Sequence, residues 1–219
     1  MSRRYRDLSP ALAFYLIGHG GEGGQTPEVP TIGDWVTIVT DTSKGYLTEK
    51  QMEVNARLIY NVFAAVGWSS SAIAALLGNM QGESTLNPGL IEVGGGTTSA
   101  GAGRGLVQWT PASNLYDVLD VLYQKHNDWY DGNKQCQVIY AEYQESVGEA
   151  HRGIEPQWYQ TSAYPISWDE WAHSTERTIQ YLTQAFMANY ERPATTNHPE
   201  RWGYAQYWYE KILEWRKET

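Results

Sequence analysis

The carboxyl group of Glu83 is the first candidate for chemistry in this sequence, because it ends a run of apolar residues with helical spacing. Ile73, Leu76, Leu77 and Met80 recur at i, i+3, i+4 and i+7, and Glu83 continues the same face three residues later. Burial on that face and the negative end of the helix dipole both favour the protonated carboxyl group. A carboxyl group that holds its proton near neutral pH can act as a general acid.

Two other interpretations of Glu83 involve no catalysis. Gly82 precedes it, so the end of the helix can fray and the side chain can turn into water. Alternatively, Glu83 is buried against Arg104 or another cation as a structural ion pair. Spacing alone does not choose among these three roles.

A second carboxylate is expected if the chemistry is cleavage of a glycosidic bond, because most glycosidases use a pair. Glu92 is the only acidic residue between positions 84 and 116, and it lies in a glycine-rich stretch, 90–108, that predicts a small β-hairpin. The alternative is that Glu92 is an exposed strand residue without a catalytic role.

Several other classes of function are disfavoured. Cys136 lies on an apolar helical stripe and has no local hydrolase signature, so we interpret it as a core residue. The five histidines show no paired ligand spacing, and we predict neither a metal site nor a cofactor. A net charge of −9 gives no attraction toward nucleic acid, and no apolar run is long enough to predict a membrane span.

The elements that would position Glu83 begin after a different kind of sequence. Residues 1–46 are predicted to be an N-terminal arm or linker, since 19–34 are rich in Gly and Pro and 35–42 are β-prone without a catalytic pattern. Residues 47–219 are predicted to form one domain. Its first helix begins at a capping box of Thr48 and Gln51, and a second capping box follows at Ser167 and Glu170.

The remaining periodicity indicates about six helices and one small β element, which is a predominantly helical α+β fold. The last helix is expected to begin near Pro199. The residues predicted to face inward on it are Trp202, Ala205, Tyr209, Ile212 and Trp215.

Three blocks then carry a resemblance to a known family. "AIAALLGNMQGESTLNPG", "GRGLVQWT" and "FMANYERPA" occur in that order and resemble the phage tail lysozyme family over roughly residues 50 to 215. The resemblance implies a lysozyme-like domain with a β-hairpin beside the cleft and Glu83 as the catalytic acid. Any one block alone would be a weak signal.

The resemblance also implies substrate contacts near the second block. Trp109 is expected to stack on a sugar ring and Gln108 to hydrogen-bond it, with Ser84 and Thr110 as neighbouring contacts. A structural alternative stays open, in which Trp109 covers the core and Gln108 ties the backbone. The block "YERPA" resembles a structural latch, in which Glu191 or Arg192 ties helix ends together.

The function that the resemblance implies is a glycoside hydrolase in the phage tail that opens bacterial peptidoglycan during DNA entry. A lytic transglycosylase on the same substrate and a non-catalytic tail protein with a lysozyme fold are the alternatives. Other tail proteins are expected as partners through the N-terminal arm, and the expected location is the virion tail.

Overall fold

The computed structural model describes residues 34–193, 195 and 197–218, so most of the predicted arm lies outside the described residues. The described chain is predominantly helical. Its seven α-helices are α1 (Glu49–Ala65), α2 (Ser70–Ser84), α3 (Ser113–Tyr123), α4 (Gly132–Ser146), α5 (Trp168–Ala172), α6 (Ile179–Phe186) and α7 (Pro199–Trp215). None of these helices is long and apolar enough to cross a membrane.

Helix α2 is the centre of the domain. The Ser69 hydroxyl caps its first turn by accepting a hydrogen bond from the Ala72 backbone N–H, at 3.1 Å. Every side chain from Ala72 to Leu77 is fully buried, as is Met80, and a helix that is apolar on all sides must be enclosed by its neighbours. Thr85 and Leu86 both have positive φ, so the chain turns sharply directly after Glu83 and Ser84.

Helix α7 packs against α2 at unusually short range. A Cβ added to Gly78 would lie 2.6 Å from the Arg201 carbonyl oxygen and 2.7 Å from the Ala205 backbone nitrogen, so only glycine permits this approach. The buried face of α7 passes through Arg201, Ala205 and Trp208 before Ile212 and Trp215. The prediction of Trp202 as an inward residue is therefore corrected, since it is only partly buried, whereas Tyr209 is partly buried and packs against the core.

The predicted β-hairpin over 90–108 is not present as paired strands among the described residues. Isolated bridges join Arg104 to Ile91 and to Trp109 instead. The guanidinium of Arg104 donates to the carbonyl oxygens of residues 97, 99, 102 and 103, at 2.9–3.3 Å. Because one buried side chain satisfies these carbonyls, the glycine-rich loop folds around Arg104 and needs no partner strand.

Part of the predicted arm, residues 34–46, lies against the domain. The buried Asn55 side-chain amide bonds both the N–H and the C=O of Val36, at 2.9 and 2.8 Å. Asn87 does the same for Ile38, at 3.0 and 2.8 Å. The β-prone segment is thus held extended by two asparagine side chains, with a single bridge, Thr40 to Leu90, in place of the suggested strand.

Both predicted capping boxes are present, at Thr48 with Gln51 and at Ser167 with Glu170. Helix α6 continues into one π-helical turn, Met187–Glu191, which ends where Arg192 adopts a positive φ. Irregular turns of this kind project consecutive side chains in directions that an α-helix does not allow. Here they direct Tyr190 and Glu191 toward the cleft that follows α2.

Candidate active site

A cleft of about 710 Å³ opens at the C-terminal end of α2. One wall carries Glu83, and the floor is the loop that contains the second sequence block, from Gly103 to Thr110. The π turn and the residues that follow it also line the cleft. The further lining residues are Tyr46, Leu90, Glu92, Val93, Asn114, Gln157, Tyr190, Glu191, Arg192 and Pro193.

Glu83 is held by a cation from the last helix. Its Oε1 lies 2.5 Å from Nη2 of Arg201, and the Glu83 side chain keeps 20% of its surface exposed. Nη1 of the same guanidinium lies 2.6 Å from Oε2 of Glu191, whose side chain is only 5% exposed. One arginine therefore bridges two carboxyl groups of the cleft lining, of which Glu83 keeps exposed surface and Glu191 is nearly buried.

The buried partner of this cluster holds its proton unusually tightly. Burial and the nearby charge of Glu83 raise the pKa of Glu191, and with Arg201 acting in the opposite direction the pKa lies at about 8. Within the described residues, the second oxygen of Glu191, Oε1, has no hydrogen-bond partner. Two carboxyl groups around one guanidinium can hold one proton between them.

Glu92 also lines the cleft. Its side chain is exposed, and Oε2 accepts a hydrogen bond from the Gly103 backbone N–H at 3.1 Å. Glu83 and Glu92 therefore face the same cleft from different segments. The carboxylate of Glu92 is accessible to a water molecule in that cleft.

The cleft floor rests on a buried polar network centred on Tyr190. The Tyr190 hydroxyl donates to Oε2 of Glu142 and accepts a hydrogen bond from Nε1 of Trp109, at 3.0 Å. Burial raises the pKa of Glu142 to about 8, although its bonds with Tyr190 and Gln157 lower it. Trp109 is 2% exposed, so its ring face is packed in the core.

The other three residues predicted to contact substrate differ in how far they reach the cleft. Ser84 is fully buried, and its hydroxyl donates to the carbonyls of Met80 and Leu106, so the expectation of a substrate contact is corrected to a structural tie. Gln108 lines the cleft, but its amide donates to the carbonyls of Leu90 and Gly105, at 3.1 and 2.9 Å. Thr110 is exposed on the cleft rim.

A family profile described as phage tail lysozyme matches residues 54–212 of this chain. The chain belongs to the phage tail lysozyme family. The match includes α2 with Glu83, the loop that forms the cleft floor, the π turn and Arg201. The family resemblance read from the three sequence blocks is thereby confirmed.

A curated relative, Morphogenesis protein 1 of Bacillus phage B103, is 35% identical over 173 residues. The aligned region makes up 78% of this chain and 42% of that protein. This member of the phage tail lysozyme family thus spans less than half the length of its phage relative.

Sequence reasoning missed Arg201, which proved to be the partner of Glu83. A signal was available, because the stripe Ala205, Trp208 and Ile212 extends backward by one turn to position 201. An arginine on the buried stripe of a helix requires an anionic partner. Glu191 was expected only as a latch, and its bond to Arg201 confirms that it does tie the π turn to α7.

Proposed function

We propose that this protein is a phage tail-associated lysozyme that cleaves the glycan strands of bacterial peptidoglycan, with Glu83 as the general acid. The observation that carries the proposal is the position of Glu83, which keeps exposed surface in a polar cleft at the end of the central helix. Membership of the phage tail lysozyme family supports the substrate class. In this reaction Glu83 gives its proton to the glycosidic oxygen as the bond breaks.

Glu92 is the proposed second carboxylate. Its exposed side chain can accept a proton from a water molecule that attacks the sugar in the cleft. If Glu92 has this role, the product gains one water per bond cleaved. In the alternative reaction, lytic transglycosylation, a hydroxyl group of the substrate attacks and an anhydro sugar forms. The masses of the released fragments distinguish the two reactions.

The sugar-stacking role expected of Trp109 is better assigned to Tyr46. Of the aromatic rings that line the cleft, Tyr46 is 51% exposed, whereas Trp109 and Tyr190 are each 2% exposed. An exposed ring presents an apolar face on which a sugar can pack. Gln108 and Thr110 remain proposed polar contacts, with the Oε1 atom of Gln108 and the hydroxyl of Thr110 as the groups that would meet the substrate.

The contact between Glu83 and Arg201 also favours a second candidate, a tail protein without catalytic activity. A buried arginine paired with two carboxylates can serve structure alone, and removal of one member of such a pair is destabilising. The two candidates differ in what Glu83→Gln changes. A catalytic role predicts loss of activity in a folded protein, and a purely structural role predicts a wild-type protein without activity.

The test is the clearance of a purified cell-wall suspension by wild type and by Glu83→Gln. Because one general acid contributes a factor of about 10² to 10⁴, we expect the variant to lose at least 100-fold of the rate. Glu210→Gln, on the exposed face of α7, is the matched control and should keep the wild-type rate. Equal clearance by Glu83→Gln, or no clearance by the wild type, rules out the catalytic assignment.

The N-terminal arm is proposed to dock the enzyme to other tail proteins, which would place it in the virion tail. This proposal depends on the family name and on the phage origin of the relative. Binding between purified tail proteins and chains with or without residues 1–33 tests it. Equal binding by both chains would exclude residues 1–33 of the arm as the docking segment.

A further inference from the structure

The cluster of Glu83, Arg201 and Glu191 contains two carboxyl groups for one cation, which is one carboxyl group more than an ion pair requires. The side chains of Arg201 and Glu191 are 8% and 5% exposed, so water reaches neither group freely. With both carboxyl groups ionised, this small buried volume would carry a net charge of −1. Burial of uncompensated charge is costly, and one bound proton makes the cluster neutral.

The other groups that face this cluster do not supply that compensation. From α2, Asn79 contributes a neutral amide, whose Oδ1 lies 3.4 Å from Nη1 of Arg201. From the segment after the π turn, Arg192 directs Nη1 to the carbonyl oxygen of Gln157. Next to Arg201, Glu200 is paired with His198 at the surface.

Elsewhere in the cleft lining, Glu92 is exposed to solvent and bonded to the Gly103 N–H, and the Tyr190 hydroxyl is bonded to Glu142. The location of the proton is therefore decided between Glu83 and Glu191.

We propose that Glu191 is a positioning residue for Glu83. The two carboxyl groups share one proton and one guanidinium, and Glu83 becomes the acid when Glu191 becomes the carboxylate partner of Arg201. This inference rests on the proposed function, since it assigns how the acid of that function is loaded. In one arrangement Glu191 is protonated and Glu83 is the carboxylate bound to Nη2. In the other, Glu83 carries the proton and Glu191 is the carboxylate bound to Nη1.

The geometry allows both arrangements without a large movement. Each carboxyl group already contacts its own nitrogen of the guanidinium, at 2.5 and 2.6 Å. The second oxygen of Glu191 has no partner within the described residues, so it is free to carry the proton. Glu83, at 20% exposure, is the member that can meet a substrate, so the second arrangement presents an acid to the cleft.

The proton balance of one turnover follows from this exchange. Glu83 loses its proton to the glycosidic oxygen, and the cluster then holds two carboxylates around Arg201. In hydrolysis, Glu92 accepts one proton from the attacking water and releases it to solvent, and the cluster takes up one proton from solvent and becomes neutral again. The high affinity of Glu191 for a proton, reflected in its pKa of about 8, keeps the cluster loaded at neutral pH.

The test is the pH–activity profile of Glu191→Gln, which keeps the shape of the side chain and removes its charge. Without a second carboxylate, Glu83 is the one carboxylate left beside the Arg201 guanidinium, so the positive charge acts on Glu83 alone. We expect the upper limb of the profile to move to lower pH by at least about one unit, which is a tenfold loss of rate at a fixed pH on that limb. The lower limb should change less.

Glu145→Gln is the matched control, because Glu145 also has a nearly buried side chain near an arginine, Arg152 at 3.8 Å, but lies outside the cleft. It should keep the wild-type profile. If Glu191→Gln lowers the rate equally at every pH, or leaves the profile unchanged, Glu191 has no influence on the proton of Glu83 and the inference is overturned.

A second measurement uses no activity and remains informative if Glu191→Gln fails to fold. In the wild type, carboxyl-carbon NMR should show Glu191 taking up its proton near pH 8. In Glu83→Gln this midpoint should fall by about one unit, because a neighbouring negative charge is gone. Ordinary titration of Glu191 in both proteins overturns the inference. Absence of wall cleavage by the wild type would instead overturn the proposed function.

Discussion

Tyr190→Phe should destabilise the protein well beyond the usual effect of removing a surface hydroxyl. The Tyr190 hydroxyl is fully enclosed and serves the Trp109 indole N–H and the Glu142 carboxyl group at once. A buried polar group that loses its partner costs about 1–3 kcal/mol, so two such groups give about 2–6 kcal/mol. We expect the lower half of this range, because a protonated Glu142 is easier to leave without its donor than a carboxylate.

The phenylalanine ring itself should fit without strain. The Tyr190 ring stacks on Phe186 with centroids 4.8 Å apart, and that contact does not involve the hydroxyl. A loss of about 2–4 kcal/mol in a domain of this size corresponds to a fall in Tm of roughly 5–15 °C. Urea unfolding followed by circular dichroism at pH 7 measures the free energy directly.

Tyr159→Phe is the control for this prediction, since Tyr159 is 68% exposed. Its effect should stay within about 0.5 kcal/mol. A double-mutant cycle with Glu142→Gln should give a coupling energy of about 0.5–3 kcal/mol. If Tyr190→Phe costs no more than Tyr159→Phe, the hydroxyl is not a structural centre and the account of the cleft floor is wrong.

Two further predictions concern stability. The folded pKa of Glu142 lies at about 8 against an ordinary 4.5, so the stabilisation that this carboxyl group contributes is complete below pH 4.5 and is lost as the pH rises through 8. Urea midpoints should therefore fall over that window, and they should fall less steeply in Glu142→Gln. A midpoint that rises with pH would contradict the assignment. Gly78→Ala should destabilise the protein by about 1–3 kcal/mol, because the added Cβ would meet the backbone of α7 at 2.6 Å. Gly203→Ala, whose Cβ would enter open space, should stabilise the protein by up to about 1 kcal/mol in the same thermal scan. Equal shifts for both variants would contradict the close approach of α2 and α7.

The features that could be predicted from the sequence are mostly those determined by neighbouring residues. The capping boxes at Thr48 and Ser167 depend on positions three apart, and both occur in the structure. Glu83 was identified from the spacing of one helix face, and the structure places it in the cleft. Its catalytic role stays a prediction until Glu83→Gln is assayed.

The partner of Glu83 and the fold of the Arg104 loop could not be predicted, because local sequence patterns do not reveal which groups these side chains contact. On spacing alone, Glu83 is an isolated charge on an apolar face, and Arg104 is the named candidate for a cation partner. Arg104 is instead fully engaged with the carbonyls of its own loop, which also explains why no paired strands form there. The true partner, Arg201, lies 118 residues away in the sequence, a distance that no local pattern spans.

The aromatic residue that faces the cleft could not be predicted either, because its exposure also depends on long-range contacts. Trp109 and Tyr46 have equally suitable rings, and the exposed fraction of a side chain cannot be read from a sequence. Trp109 is directed inward because its indole N–H finds the Tyr190 hydroxyl, 81 positions later. Composition could therefore indicate a sugar-facing aromatic residue without telling which ring reaches the cleft.

The separation between Glu83 and Arg201 also has a consequence for the order in which the protein matures. During synthesis, α2 leaves the ribosome long before α7 exists, so Glu83 is made 118 residues before its arginine. Until α7 docks at Gly78, the face of α2 that contacts α7 is not packed and Glu83 lacks its partner Arg201. The entropy of closing a long loop rises only slowly with its length, so the delay is set by translation more than by the search for contact. A nascent chain would therefore acquire its cleft in a single late step, when nearly all of the domain has already been made.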